Sequence, residues 1–444
     1  MISFENIDQH HKLYAYILPY MRYLHNHIFY EDIEIIGEEN IPPIGEPCFV
    51  ISNHQNGLMD PLAKLSMFKD NRQPVYIARG DIFKKDTIAK LLKYIKVLPT
   101  FRTRDGDRND IKRNNDTFHV AGEVLLRGGT VILYPEAQHQ HGRYLGPFKK
   151  GFPRICFAAE ELSDYKINVK VLPVCIHYTK YERIKSKLLL VIGKPFTFEE
   201  FYDIHKTDPN LAYAQLNDKA RNILKEMVMD IEDQEHYDEY DLLRNMITHT
   251  RADIDDSFYE YFKEEKKVIA EIDQLKVENP SKFEELMVKT REYKAGLKNL
   301  NLRDWLINRK VTWGRTLFKD LLLLLLLPLY LYSILTNGIP FFAPELLVRK
   351  MKDRQLFSSV RFGLGFFIFP IWYFILFLIV GFVSGTFLLA MWIVLISAAT
   401  IGLLYYYRVW VIKVYNSYRY LLLQKDPEMI KIKELKDYII NYFK

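Results

Sequence analysis

Short apolar runs alternate with amphipathic stretches along the first half of the chain. Continuous apolar runs at Cys48–Ser52, Thr130–Tyr134 and Val169–Ile176 predict buried strands. The stretches between such runs repeat apolar residues every three or four positions, as helices do. Because strands that alternate with helices form βαβ units, we predict an α/β domain over residues 30–230, with a mostly parallel sheet and flanking helices.

A different pattern precedes this domain, in residues 1–29. Between about His11 and Phe29, apolar and aromatic residues recur every three or four positions, which predicts an amphipathic helix. Such a helix either lies in the membrane interface or packs on the domain, and the sequence leaves both possibilities open.

Residues 231–312 are charged, poor in glycine and interrupted by Pro280. We predict a helical insert there, in the form of an accessory hairpin of two helices. Charge runs such as Glu264–Lys267 are typical of solvated helix faces, and they indicate no site chemistry.

The apolar residues of the chain concentrate in a membrane region, residues 313–415. Stretches 362–380 and 385–407 carry no charge. Each is long enough to span a hydrocarbon core of about 30 Å, and together they predict a transmembrane hairpin linked by residues 381–384. Residues 321–344 contain Pro328, Gly338 and Pro340, which predicts a re-entrant or interfacial segment. The remainder, residues 416–444, reads as an amphipathic helical tail.

Basic residues flank the predicted hairpin. Arg349, Lys350 and Arg361 precede its first span, and Arg408 and Lys413 follow its second. By the positive-inside rule both ends face the cytoplasm. With no apolar stretch and cleavage site typical of a signal peptide at the N-terminus, we expect a multi-pass membrane protein whose α/β domain faces the cytoplasm, at the inner membrane if the protein is bacterial.

Composition agrees with a lipid partner. The chain of 444 residues is 49% hydrophobic and carries a modest net charge of +6. Its basic residues lie beside apolar segments and form no long stripe, which favours a phospholipid surface and argues against nucleic acid. The three cysteines, Cys48, Cys156 and Cys175, have no paired spacing, so the sequence predicts neither disulfides nor a zinc site.

The candidate chemistry follows the first of the three strands. His54 comes two residues after Cys48–Ser52, and Asp60 follows with five residues between them. A carboxylate near a histidine fixes the tautomer of the imidazole and stabilises the imidazolium that forms when the histidine accepts a hydroxyl proton. The spacing alone is also compatible with an ordinary surface histidine near an Asp-Pro turn.

The block Asn53–Pro61 resembles the His-Asp motif of the glycerolipid acyltransferases, and three further blocks follow in the order of that family. The resemblance covers about residues 30–230. Most members have four residues between the histidine and the aspartate of this motif. The spacing of five residues in this chain resembles that of the fungal-type glycerol-3-phosphate and dihydroxyacetone-phosphate acyltransferases. The resemblance implies the acyltransferase fold, with His54 and Asp60 as catalytic residues.

Further roles are implied by the later motifs. Arg102 matches the arginine of the second motif, whose planar fork suits a phosphate group. Glu136 matches the glutamate of the third, which helps to bind the acceptor, although a buried structural carboxylate is the alternative. Lys149 and Lys150 resemble a basic pair that the family often has just beyond.

The third motif departs from the family pattern. The family commonly continues with Gly-Thr-Arg-Ser, whereas this chain has Ala137–Gln140, so the usual phosphate-binding arginine is absent. His139, His141, Arg143 or the basic pair are the candidates to replace it. The departure bears on the identity of the acceptor and not on the class of reaction.

The resemblance implies a membrane-bound glycerol-3-phosphate O-acyltransferase of phospholipid biosynthesis, with acyl-CoA or acyl carrier protein as the donor and no bound metal or redox cofactor. The alternatives are a 1-acylglycerol-3-phosphate (lysophospholipid) acyltransferase and an inactive membrane scaffold of the same fold. A hydrolase is disfavoured because the sequence lacks a G-x-S-x-G nucleophile elbow.

Overall fold

The structure, a computed structural model, describes residues 4–70, 72–101, 108–137, 142–252, 257–307 and 309–444, with the backbone alone for residues 108–112. The chain divides into two compact units. The first contains Met1–Asp230 together with Lys352–Phe362, and the second contains Ile231–Met351 and Gly363–Lys444.

A single sheet organises the first unit. In chain order, the strands found among the described residues are β1 (Asp32–Ile36), β2 (Cys48–Ser52), β3 (Val75–Arg79), β4 (Val97–Thr100), β5 (Thr130–Leu133), β6 (Lys170–Tyr178) and β7 (Lys187–Ile192). Their spatial order is β1-β7-β6-β2-β5-β3-β4. Within the described sheet β6 and β7 run antiparallel, and the other neighbouring pairs are parallel. The predicted α/β class with a mostly parallel sheet is thus confirmed.

Strand β2 lies near the centre of the sheet and is buried on both faces. Cys48 and Val50 join the core on one side, whereas Phe49 and Ile51 join the core on the other. Alternation of side chains along a strand explains this division, and burial on both faces explains why the strand appears in sequence as a continuous apolar run.

Helices cover both faces of the sheet. Their bounds in the first unit are α1 (Lys12–Tyr23), α2 (Met59–Met67), α3 (Asp86–Tyr94), α4 (Arg108–Leu126), α5 (Gly151–Leu162), α6 (Tyr202–Thr207) and α7 (Pro209–Met227). A π-helical turn, Leu24–Phe29, extends α1. Tyr14 and Leu18 of α1 are buried against the sheet core, while Leu13 and Tyr16 are exposed.

The second unit begins with a helical bundle in place of the predicted hairpin. Its helices are α8 (Tyr237–Arg251), α9 (Phe258–Glu278) and α10 (Pro280–Asn299), and the tail helix α14 (Pro427–Tyr442) packs on α10. The prediction of two helices was therefore wrong. A third helix is needed because apolar side chains such as Leu243, Phe262 and Phe283 require mutual cover, and all three are buried.

Residues 321–344, predicted to be a re-entrant or interfacial segment, lie within one helix. Helix α11 (Trp313–Val348) is continuous through Pro328, Pro340 and Pro344. A proline has no N–H for the carbonyl four residues earlier, so Pro340 leaves the Thr336 carbonyl without its usual helical partner. The indole Nε1 of Trp372 donates to that oxygen at 2.6 Å and replaces the missing bond.

Two further apolar helices complete the chain, α12 (Phe357–Ser384) and α13 (Phe387–Leu422). Their connection lies at Gly385 and Thr386, with Gly385 at φ +69°, and not at residues 381–384 as predicted. Within the described residues, α11, α12 and α13 are long and apolar enough to cross a membrane. Helices α11 and α13 pack antiparallel, since Tyr407 contacts Leu323 and the Ser397 carbonyl accepts from Asn337.

Candidate functional site

The candidate site lies at the carboxyl edge of the central strands. Strands β2, β5 and β6 run in the same direction, so the residues that end or follow them meet at one edge. His54 follows β2, Tyr134 and Glu136 follow β5, and Tyr178 ends β6. The sheet therefore brings together residues that are far apart in the chain.

The loop after β2 is tied to both neighbouring strands. The side chain of Asn53 donates to the carbonyl of Ile176 at 2.9 Å and accepts from its N–H at 2.8 Å. On the other side, the backbone N–H of His54 donates to Glu136 at 3.2 Å. These contacts hold the backbone of His54 in place independently of the contacts of its side chain.

The structure brings the predicted pair together. The Nδ1 atom of His54 lies 2.6 Å from Oδ2 of Asp60. Since an ionised carboxylate only accepts hydrogen bonds, Nδ1 carries the hydrogen, and the lone pair of the neutral ring is on Nε2. The His54 side chain is 14% exposed and that of Asp60 is buried. The imidazole is therefore accessible to a substrate, whereas the carboxylate that binds Nδ1 is shielded from solvent.

Asp60 lies in the first turn of α2, where the helix dipole favours a negative charge. Its Oδ2 also accepts from the backbone N–H groups of Gln55 at 2.8 Å and Asn56 at 2.9 Å, and its Oδ1 accepts from the Tyr178 hydroxyl at 2.6 Å. Burial alone would raise the pKa of Asp60. The hydrogen bond and charge of His54, the charge of Lys64 and the Tyr178 hydroxyl outweigh burial and lower the pKa below its usual value.

Three aromatic and basic residues of the site were missed in the sequence. The ring of Tyr134 stacks on the His54 imidazole, with centroids 3.9 Å apart and planes 13° from parallel. Tyr178 stacks in turn on Tyr30, at 5.9 Å. The buried Lys64 lies one helical turn after Asp60. The positions of the tyrosines at the carboxyl ends of β5 and β6 were the available signal, and continuing β6 to Tyr178 would have included the second of them.

The predicted substrate-binding residues are only partly assembled by the described structure. Arg102 and His139 lie outside the described residues. Glu136 is 1% exposed, and its two oxygens accept from the backbone N–H groups of His54 and Gly146. This geometry favours the alternative interpretation, a structural carboxylate that holds the loop. Lys149 and Lys150 have exposed side chains, and Lys150 lies 3.4 Å from the amide oxygen of Asn210.

Arg143 is the candidate replacement arginine that the structure does describe. Its guanidinium donates to the carbonyls of Tyr178 and Thr179, at 3.2 and 3.3 Å. It therefore lies at the end of β6, on the same edge as His54. Among the described residues, no group of three or more His, Cys, Asp or Glu side chains is placed to hold a metal ion.

Residues 32–177 match the family model described as Acyltransferase. This region contains β1 to β5 and nearly all of β6, with both members of the His54–Asp60 pair. The matched region covers about a third of the chain.

Two curated proteins are similar to parts of this chain. The chloroplastic 1-acyl-sn-glycerol-3-phosphate acyltransferase BAT2 of Brassica napus is 30% identical over 118 residues, which cover 27% of this chain and 31% of the relative. The chloroplastic 1-acyl-sn-glycerol-3-phosphate acyltransferase LPAT1 of Arabidopsis thaliana is 30% identical over 144 residues, 30% of this chain and 37% of the relative. The chain thus spans about a third of the length of these relatives.

Among solved structures, the 1-acyl-sn-glycerophosphate acyltransferase PlsC of Thermotoga maritima aligns with a TM-score of 0.36 and 21% identity. The alignment covers 50% of this chain and 83% of that one.

Proposed function

We propose that this protein is a membrane-bound acyltransferase that moves a fatty acyl group from a thioester donor to the free hydroxyl of a 1-acylglycerol-3-phosphate. The observation that carries the proposal is the contact of His54 Nδ1 with Asp60 Oδ2, inside the region that matches the family. With Nδ1 bound to Asp60, Nε2 of His54 is the ring atom that acts as the base.

In the proposed reaction, Nε2 of His54 takes the proton of the acceptor hydroxyl as that oxygen attacks the thioester carbonyl. The carbon–oxygen ester bond forms, the carbon–sulfur bond breaks, and the departing thiolate receives the proton from the imidazolium. The buried carboxylate of Asp60 stabilises the imidazolium between these two steps. Because a thioester is already activated, no covalent intermediate on the enzyme is needed.

The acceptor is the finer part of the proposal. The five-residue spacing between His54 and Asp60 favours glycerol-3-phosphate, as in the fungal-type enzymes that the motif resembles. Both curated relatives are instead named for 1-acyl-sn-glycerol-3-phosphate. We give these relatives more weight, because their similarity extends over 118 and 144 residues, whereas the spacing is a single feature.

We further propose that the acyltransferase domain works at the cytoplasmic face of a membrane. Three apolar helices of sufficient length support attachment to a bilayer. The basic residues before 362 and after 407 support the cytoplasmic orientation, by the positive-inside rule. Acyl-CoA or acyl carrier protein would then reach the site from the cytoplasm and the lipid acceptor from the inner leaflet.

The test uses purified protein in lipid nanodiscs. The donor is acyl-CoA or acyl carrier protein that carries a labelled acyl chain, and the acceptors are 1-acylglycerol-3-phosphate, glycerol-3-phosphate and a lysophosphatidylcholine. We expect 1-acylglycerol-3-phosphate to be acylated with the highest kcat/KM. His54→Ala and Asp60→Asn should lower kcat by about 10²–10⁴-fold, which is the usual contribution of a general base.

Circular dichroism and gel filtration would establish that both variants fold. Preference for glycerol-3-phosphate would restore the alternative acceptor. Near-normal turnover by folded His54→Ala protein would refute the mechanism, and acylation of none of the acceptors would identify an inactive scaffold.

A further inference from the structure

A lysine is buried one helical turn after Asp60 of the candidate catalytic pair. Lys64 lies in α2, four residues after Asp60 and therefore on the same face of the helix. Its side chain is 0% exposed. The Nζ atom donates to the hydroxyl of Ser52 at 2.9 Å and lies 5.4 Å from the centre of the Tyr134 ring, the ring on which His54 stacks.

Burial of an ammonium group is costly unless a nearby charge compensates it. Burial lowers the pKa of Lys64 to about 7, and the charge of Asp60 opposes this shift. In the reverse direction, the charge of Lys64 is one of the causes that lower the pKa of Asp60. The two residues are therefore electrostatically coupled, although no direct hydrogen bond joins them among the contacts described above.

Lys64 does not touch a substrate, because its side chain is inaccessible from the sheet edge. Any effect on the reaction must pass through Asp60 or through the Tyr134 ring. Among the described residues, the titratable groups around Lys64, Asp60 and His54 come from five elements: Asp60 of α2, Cys175 and Tyr178 of β6, Tyr134 and Glu136 after β5, His54 after β2, and Tyr30 before β1.

We propose that Lys64 is a positioning residue for the acyl transfer proposed above: its buried ammonium offsets part of the Asp60 charge and so disfavours a permanent proton on the His54 imidazole. The inference rests on the proposed function, because a general base must be unprotonated to accept a proton. The effect of Lys64 on the protonation of His54 can also be measured without turnover.

The direction of the effect follows from the charges. With Lys64 positive and Asp60 negative, a proton on His54 adds a second positive charge to the pocket. Removal of the ammonium leaves the Asp60 charge uncompensated, which favours the protonated imidazole. A variant without the Lys64 charge should therefore lose activity at a higher pH than the wild type as the medium is acidified.

Two variants separate the charge from the hydrogen bond. Lys64→Met removes both, and Lys64→Gln keeps an N–H donor for Ser52 without the charge. Lys96→Met is the matched control, because Lys96 is also a buried lysine of the first unit and is bound to backbone carbonyls of Ile7 and Gln9. None of these contacts involves the His54–Asp60 pair.

The first readout is the pH profile of kcat/KM for acyl transfer in nanodiscs. We expect the acid limb to move up by roughly one pH unit in Lys64→Met and in Lys64→Gln, and to stay in place in Lys96→Met. A shift in Lys64→Met alone would assign the effect to the hydrogen bond and overturn the proposal, as would unchanged limbs in both folded variants. Lys64→Gln retains a polar group for Ser52 and is the decisive variant if Lys64→Met does not fold.

The second readout does not depend on turnover. Protein with ¹³C-labelled histidine is titrated by NMR, and the His54 signal is identified by its absence from the His54→Ala spectrum. We expect this signal to titrate at higher pH in Lys64→Gln than in the wild type. If the wild type acylates no acceptor, the proposed function fails while this titration still decides the role of Lys64; an unchanged titration refutes that role.

Discussion

At the residue scale, the buried carboxylate of Asp60 is held by more than the histidine it was predicted to orient. It accepts hydrogen bonds from the imidazole, from the N–H groups of Gln55 and Asn56, and from the Tyr178 hydroxyl. Three of these four donors come from the loop that carries His54. The fourth comes from the end of β6, from a side chain that the sequence did not single out.

Tyr178→Phe tests that fourth donor. The change removes the hydroxyl and leaves Oδ1 of a buried carboxylate without this partner, which should loosen Asp60 and lower kcat. A hydrogen bond to a charged group is worth about 1.5–3 kcal/mol, so the expected loss is roughly 10- to 100-fold. Steady-state kinetics on folded protein measure it.

Tyr293→Phe is the control for the Tyr178 variant. The Tyr293 hydroxyl also donates to a carboxylate, Asp304 at 2.6 Å, but within the helical bundle of the second unit. Its loss should leave kcat unchanged. Equal effects of the two substitutions would mean that Tyr178 contributes only to general stability.

At the scale of elements, the start of α12 is part of the first unit, which contains the His54–Asp60 pair. The hydroxyl of Ser359 accepts from the N–H of Leu58 at 2.9 Å, and the hydroxyl of Ser358 donates to the Tyr181 carbonyl at 2.7 Å. The same carbonyl accepts from the Asn56 side chain at 2.7 Å. An apolar helix far along the chain thus braces the loop between His54 and Asp60.

Gly57 shows how close this contact is. It has φ +32°, and a Cβ atom there would lie 2.6 Å from the Ser359 hydroxyl. We expect Gly57→Ala to displace the loop and lower kcat by about tenfold or more, since both the backbone angle and the space disfavour a side chain. Ser359→Ala should have a smaller effect, because Leu58 is exposed enough for water to replace the hydroxyl.

Steady-state kinetics of both variants check this prediction. Ser384→Ala, at the opposite end of α12, is the matched serine control. A Gly57→Ala enzyme with unchanged kcat would show that the brace does not matter for turnover.

At the scale of the whole molecule, helical packing constrains the path through the membrane. Tail helix α14 packs on α10, with the Asn299 amide donating to Glu428 at 2.8 Å and Ile432 packed against Gly296. In a bilayer, the chain before α11 and the chain after α13 would therefore lie on the same side, which requires an even number of crossings. By the positive-inside rule, the basic residues before 362 and after 407 favour α12 and α13 as the two crossings, and the labelling of Lys350 decides whether α11 crosses in place of one of them.

Single cysteines at Lys350, Ser384 and Lys444 test this topology. The background would replace the buried Cys48, Cys156 and Cys175. An impermeant thiol reagent added to intact cells should label Ser384→Cys alone, and permeabilised cells should show labelling at all three sites. Labelling of Lys350→Cys from outside would mean that α11 crosses, and labelling of Lys444→Cys in place of Ser384→Cys would mean that the orientation of α12 and α13 is reversed.

The sequence by itself determined the elements whose signals are local. The apolar runs gave the central strands because a strand buried on both faces has no polar positions to interrupt it. Parallel strands place their carboxyl ends at one edge, so the position of His54 after β2 and of Glu136 after β5 followed from strand order alone. His54 and Asp60 met as predicted because one short loop and one helical turn separate them.

Tertiary structure decided what depends on partners distant in the chain. Tyr178 is 118 residues from Asp60, and Trp372 is 36 residues from Thr336. No periodic pattern in the sequence could therefore predict either hydrogen bond. The first completes the support of the carboxylate, and the second lets α11 continue through Pro340, where the sequence indicated a break. The same reason applies to Lys64: a lysine in an amphipathic helix reads as solvated, and only the surrounding strands show that it is buried beside Asp60.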